Sequence, residues 1–349
     1  MPDPEPDSEP LPAEAAGNRP AAPAKSARLG IPRSWWAWIG SPVALLPFLV
    51  LALITGVLLN ASALRNFGWS FWSFNYNFLP QTPDQSSWGI GVFVLGTALT
   101  AGLAIVFATL LSLALAISVV VYLPSGPSRV LNMLTNLLAG IPSVVYGIWG
   151  FVILAPYFGI TVEPTLRAFL FWLPGFGGPA SEIGSWGILL AVFLLTIMII
   201  PLTTALMRSA LQSVPRDLVD SAVALGATRW EVTRRVRFRV ARRGLSSAIL
   251  LGLGRALGES VAVAMVIGGV TSIPVSLYSA STSLPSFIFF QLDSAFTYPD
   301  LLVLLVEFAL VLLIITMVVN IVAQRLTQTE LATATTVGTL LSEEGELER

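Results

Sequence analysis

Residues 208–244 read RSALQSVPRDLVDSAVALGATRWEVTRRVRFRVARRG. Pro215, followed by Arg216 and Asp217, suits a helix start, because a first-turn proline forfeits no hydrogen bond and an aspartate there complements the helix dipole. Leu218, Ala222 and Leu225 recur at helical spacing. Gly226 breaks the pattern, and a second helix restarts from Arg229. The stretch thus reads as helix, glycine bend, helix: a short segment of defined shape. Its nine arginines equally suit a basic loop laid on anionic lipid, and from the loop alone both readings stand.

Outward from this loop the chain is apolar. Only 11% of its 349 residues are charged, against about 25% in soluble globular proteins. Six stretches of bilayer-spanning length lie near 39–60, 91–122, 133–157, 186–207, 246–270 and 301–324. They predict an all-α, polytopic membrane protein of six transmembrane helices. The second stretch is too long for one upright span and must tilt, project or start late; dividing it in two would invert everything downstream. The chain has no His and no Cys, which excludes disulfides, thiolate and imidazole metal sites, histidine bases and thiol nucleophiles. Its 19 basic and 20 acidic residues give no reason to expect nucleic acid.

Charge orients the spans. With the N-terminus inside, sixteen basic residues fall on the inner segments, two (Arg65 and Arg167) on outer loops, and Arg255 inside a span. Both termini of this multi-pass membrane protein are expected in the cytoplasm. Residues 1–34 form a Pro- and Ala-rich, disordered cytoplasmic leader, not a cleaved signal. Residues 35–328 form the transmembrane domain, with the loop at about 209–245. Residues 329–349 are an acidic cytoplasmic tail, whose glutamates are expected to leave it solvated and unstructured.

Span five carries Arg255 and Glu259, four residues apart and so on one helix face. They lie about 14 and 20 Å from its inner start, at a depth where a charge costs at least about 2.5–3.5 kcal/mol. Counted from the outer start of span six, Glu307 falls at a similar level. Either the carboxylates neutralise Arg255 and clamp the bundle, or Arg255 is a fixed cation on an anion path, its planar fork matched to phosphate oxygens. Gly252, Gly254 and Gly258 lack the G-x-G-x-x-G spacing of a nucleotide fingerprint; Gly254 and Gly258 form a G-x-x-x-G that favours close helix packing. In span three Pro142 must bend or break the helix, which leaves Ser143 and Tyr146, three apart, able to face a polar cavity; Pro201 similarly interrupts span four. The outer segment NFGWSFWSFNYNFLPQTPDQSSW (66–88) alternates aromatics, either as an interfacial segment or as a docking surface for an external protein.

The loop resembles the coupling loop of ATP-binding-cassette importer permeases, E-A-A-x-x-x-G-x9-I-x-L-P. Asp220, Ser221 and Ala222 stand at the E-A-A positions, Gly226 at the glycine, and Val236 and Phe238 at the apolar pair, while Arg239 replaces the proline. The stretches IPSVVYGIWGFVILAP, SAVALGATRWEV, GLGRALGESVAVAMVIGG and VEFALVLLIITMVVN are similar to permease subunits of bacterial phosphate importers of the PstC type, over roughly 40–328. That resemblance implies a type I importer permease fold and a heterodimer with a PstA-type permease. It further implies a PstB-type cytosolic ATPase dimer that consumes ATP, a PstS-type external phosphate-binding protein, and no cofactor, metal or catalytic residue in this chain. It carries Arg255 and Glu259 over as phosphate-path charges, with Glu307 in support, and Asp220, Ser221, Ala222 and Gly226, with Val236 and Phe238, as the ATPase contact. Other oxyanions, sulfate or molybdate, remain alternatives. An ion-driven carrier would leave the loop unexplained and shows no internal repeat. A membrane enzyme has no G-x-x-x-x-G-K-[ST], H-E-x-x-H or G-x-S-x-G in the sequence.

Overall fold

The computed structural model describes residues 68–77, 86–178 and 185–347 and a few positions from Leu49 to Asn60, with side chains as far as Val322 and at Arg325. The leader lies outside the described residues, as does most of the first expected span. The chain divides into two units, Met1–Ile54 and Thr55–Arg349, and every element below belongs to the second.

Apolar runs become helices where prolines and glycines permit. Helix α1, Gly91–Tyr122, is one unbroken element of 32 residues, about 48 Å long against a hydrocarbon thickness of about 30 Å; the division into two spans therefore falls. Its last turn, Ser118–Tyr122, widens to a π-helix. The amphipathic α2, Ser125–Ala139, ends before Gly140 and Pro142, and α3 runs from Ser143 to Leu170. Span three therefore starts and ends later than its hydropathy indicated: Pro142, as the residue before α3, sets the boundary. Two π-turns, Gly150–Leu154 and Phe158–Val162, directly precede the turns that hold Pro156 and Pro164 and let the helix continue through them.

Helix α4, Ile188–Gln212, stays helical through Pro201, contrary to the expected interruption. Polar groups around the proline are met locally: Ser112 of α1 donates to the Ile200 carbonyl at 3.3 Å and lies 2.5 Å from the Thr203 hydroxyl. Then come α5, Arg216–Ala224, α6, Arg229–Gly258, and α7, Val261–Ile267. The last two are bent 66° at their junction, so span five is broken. Helix α8, Leu284–Thr297, precedes α9, Pro299–Leu347. The backbone of α9 is helical to Leu347, so the expected unstructured acidic end is instead helical; no proline interrupts 300–347. Among the described residues, four helices are long and apolar enough to span a membrane, five with the α6–α7 pair.

Small side chains set the packing. Ala101, Ala104 and Ala108 of α1 join Ala191, Leu194 and Ile199 of α4 in the central core. A Cβ on Gly252 would lie 2.5 Å from Thr203 and 2.9 Å from Ile105, and one on Gly254 would lie 2.5 Å from Asn320 of α9. Gly258 faces open space, so the expected close packing through Gly254 and Gly258 holds only at Gly254, with Gly252 as the second contact. Gly147 and Gly150 of α3 similarly admit Met265 and Val266 of α7.

At the end of the bundle away from the arginine-rich loop, a short hairpin pairs β1, Tyr76–Asn77, with β2, Ser87–Trp88. The alternating aromatics divide there. Phe71 and Tyr76 pack with Phe93, Phe287 and Phe308 at centroid distances of 4.2–5.9 Å, while Trp69 is 95% exposed. Segment 276–281 crosses the same end. Its Leu277 and Ser279 carbonyls accept from the amides of Leu189 (2.8 Å) and Ile188 (3.2 Å), and the Ser281 amide donates to Ile267 at 2.9 Å. The strap thereby satisfies amides at the start of α4 that its own helix leaves unpaired.

Gly252→Val is expected to lower stability by about 1–3 kcal/mol through overpacking, measured by thermal denaturation in detergent. Gly258→Ala is expected to stay within about 0.5 kcal/mol of the parent.

Candidate functional site

The arginine-rich loop has the predicted shape. Asp217 lies in the first turn of α5. Gly226 adopts φ +85°, a conformation that carries no penalty only for glycine. Its amide donates to the Val223 carbonyl at 2.9 Å, and the Ala227 amide to Ala222 at 3.1 Å, which closes the C-terminus of α5. Thr228 then starts α6 with a capping box: its hydroxyl accepts the Glu231 amide at 3.3 Å, and its own amide donates to the Glu231 carboxylate at 2.9 Å. The bend is therefore hydrogen-bonded on both sides of the glycine.

The loop is anchored from below and apolar at its tip. Val236 and Phe238 pack against a cluster of Ala116, Met207, Leu211, Val214 and Ala241. Arg237 donates to the Leu211 carbonyl at 3.2 Å, and Arg208 to the side-chain oxygen of Asn132. Val236 and Phe238, expected at the contact surface, are half-buried and instead hold the loop to α1 and α4, at the π-turn Val232–Arg237. Asp220, Ser221 and Gly226 are exposed and Ala222 is half-buried. Around them stand Leu218, Val223, Trp230 and Leu225, the last 89% exposed. Sequence reasoning gave Leu225 only a periodic role. The available signal was its place beside Gly226, at a bend too small to bury a leucine.

The second cluster surrounds Arg255. The residue is exposed on α6, one turn before the break, with the open Gly258 beside it. Glu259 is half-buried, and its backbone is extended (φ −74°, ψ 114°). The helical relation that would put it on the Arg255 face is therefore lost. Tyr146 of α3 is buried, and its hydroxyl donates to the Leu138 carbonyl at 3.0 Å. Ser143, half-buried, opens α3 one turn before Tyr146. Through Gly147, which meets Ala262 and Met265 of α7, the start of α3 lies beside the break that follows Arg255. Glu307 does not join them. Gly254 abuts Asn320, and Glu307 lies thirteen residues from Asn320 along α9, about 20 Å at the helical rise. It is fully buried toward the opposite end. The expected level of three charges assumed that span six begins at the depth where span five ends.

The model of the family of binding-protein-dependent transport system inner membrane components matches residues 108–329. The chain belongs to this family. It is 38% identical over 246 residues to the phosphate transport system permease protein PstC of Mesorhizobium japonicum, covering 68% of this chain and 73% of the relative. Against the protein of the same name from Haemophilus influenzae it is 38% identical over 258 residues, covering 72% and 80%. Among solved structures, one chain of a bacterial alginate ABC transporter, crystallised with its alginate-pentasaccharide-bound periplasmic protein, superposes with a TM-score of 0.54 at 16% identity. It covers 85% of this chain and 95% of that one, a likeness of fold. The loop 213–237 and Arg255 both lie inside the stretch that matches the inner membrane component family.

Thr228→Ala removes the hydroxyl that accepts from the Glu231 amide, a cap worth about 1 kcal/mol, and leaves the backbone amide of residue 228 bonded to the Glu231 carboxylate. The amides of Arg229–Glu231 are expected to exchange with deuterium about fivefold faster, read by mass spectrometry.

Proposed function

We propose that this chain is the permease subunit of an ATP-driven importer that translocates inorganic phosphate across the plasma membrane into the cytoplasm. The observation that carries the reading is an exposed arginine at mid-span, in a chain whose relatives bear the name of phosphate transport permeases. A guanidinium facing hydrocarbon is costly. The Arg255 face is therefore covered by protein or water, which suits a path shared with a companion permease of the PstA type. Its planar fork meets phosphate oxygens in pairs, and Glu259, at the edge of the site, moderates how tightly the anion is held. Tyr146 and Ser143 line the α3 side, with the Tyr146 hydroxyl oriented by Leu138. Glu307 acts in bundle packing.

The arginine-rich end faces the cytoplasm, in keeping with the excess of basic residues on that side, and both termini lie there. Leu218, Val223, Leu225 and Trp230 seat in a groove of a PstB-type ATPase, which hydrolyses the ATP; a PstS-type protein delivers phosphate at the opposite end. The loop moves as one body because the capping box and the Val236–Phe238 anchor leave it no internal freedom. Closure of the ATPase dimer is thus passed to α4 and α6 as a displacement.

The test is radiolabelled phosphate uptake in cells lacking high-affinity import, supplied with this chain and the three partner subunits. Uptake is expected to require ATP and to ignore a large excess of sulfate or molybdate; Leu225→Asp is expected to abolish it along with co-purification of the ATPase. Uptake blocked by sulfate or molybdate would overturn the substrate, and ATP-independent uptake would overturn the importer.

A further inference from the structure

The end of α3 opposite the arginine-rich loop carries a polar cluster that the path does not use. Glu163 and Arg167 stand one turn apart, beside a cavity of about 310 Å³ lined by Gly159, Glu163, Pro164, Arg167 and Ala168. Glu163 is only 7% exposed. The Arg167 Nη2 donates to the Gly178 carbonyl at 2.8 Å, and the guanidinium lies 5.3 Å from the ring centroid of Tyr278. Tyr278 is fully buried and meets Phe176 edge-on at 6.1 Å. Burial pushes its phenol above the usual range; the Arg167 charge opposes that shift and the Glu163 charge adds to it. The three groups therefore form one electrostatic unit.

Tyr278 belongs to the 276–281 strap, and Gly178 to segment 171–178. The two segments are also joined directly, by the Leu277 amide donating to the Gly175 carbonyl at 2.9 Å. Arg167 thus ties three pieces of chain together: the end of α3, the segment after it, and the strap that crosses the starts of α4 and the end of α7. The closed arrangement is incompletely satisfied. Arg167 Nε and the Tyr278 hydroxyl are buried without a hydrogen-bond partner, which costs free energy that hydration on opening would return. The guanidinium is not presented to a ligand, since one amino group is committed to Gly178 and its Nε is enclosed. The cluster is built to hold and release chain, not to bind an anion.

We propose that Glu163, Arg167 and Tyr278 form the latch of an outer gate, in which Arg167 is the positioning residue that keeps the 276–281 strap over α4 and α7 until the permease opens outward. This rests on the transport reading above. The Glu163 charge faces the guanidinium from one turn earlier on α3. Tyr278 meets it from the strap and Gly178 from the segment after α3, and parting these contacts uncovers the end of α7, the leg of the broken span that leads down to Arg255.

The chain has no native cysteine, so a cross-link reads the gate cleanly. A Cβ on Gly178 would lie 2.4 Å from the Cβ of Ser276, close enough for a disulfide after a small shift. In the full complex carrying Gly178→Cys and Ser276→Cys, oxidation is expected to lower phosphate uptake at least tenfold relative to the same complex reduced, with recovery on reduction and no response to oxidant in either single variant. Uptake that continues unchanged with the disulfide formed would overturn the gate and leave a static brace. Arg167→Ala provides an independent reading. A weakened latch is expected to raise ATP hydrolysis without the external binding protein several-fold, and unchanged hydrolysis in the assembled complex would overturn it. Absence of phosphate uptake by the unmodified chain would count against the transport reading instead.

Discussion

Two glycines determine how α6 sits in the bundle. Gly252 and Gly254 have no side chain to hold neighbours away, so Thr203 of α4, Ile105 of α1 and Asn320 of α9 all approach the backbone at that level. With that side of the helix pressed into the core, Arg255 and Gly258 are turned out. The break after Gly258 then redirects the chain into α7 by 66°, and α3 packs onto α7 through its own glycines. The contacts at Gly252 and Gly254 thus fix which way Arg255 faces.

The same helix joins both ends of the account. On one side α6 begins in the capping box of Thr228 and is anchored through Val236 and Phe238 to α1 and α4. On the other, α7 ends under the strap that Arg167 fastens. A push on the apolar knob around Leu225 therefore has a stiff route to the level of Arg255, and the break at Glu259 offers a pivot beyond it. Alternating access in such a molecule is a matter of which end is held shut. On the transport reading proposed above, the anchored loop and the strap beside Arg167 are places where the chain commits local hydrogen bonds to that choice.

Much of this was legible in the residues. Pro215, Gly226 and the Thr228–Glu231 spacing specify the loop through backbone rules that act within a few residues, and the apolar runs mark the spans because hydrocarbon leaves the backbone few choices. What failed depended on longer-range geometry. Hydropathy spread span three across the Gly140–Pro142 boundary because α2 is itself half apolar. The pairing of Arg255 with Glu259 presumed an unbroken helix, and nothing in the apolar residues that follow announces the bend. Glu307 was placed by counting from a span start whose depth the sequence does not state. Val236 and Phe238 pack inward at a π-turn that has no clear residue signature. Arg167 counted only as an outer charge, although a glutamate one turn before it was a visible hint of a held guanidinium.

The most direct test is phosphate uptake by Arg255→Ala and Arg255→Lys in the assembled complex, with ATP hydrolysis measured in parallel. Arg255 is exposed on α6, so both variants are expected to assemble and hydrolyse ATP. Uptake is expected to fall at least tenfold in Arg255→Ala and to recover only in part in Arg255→Lys, whose point charge lacks the planar fork. Parental uptake in Arg255→Ala would contradict the assignment of the anion path.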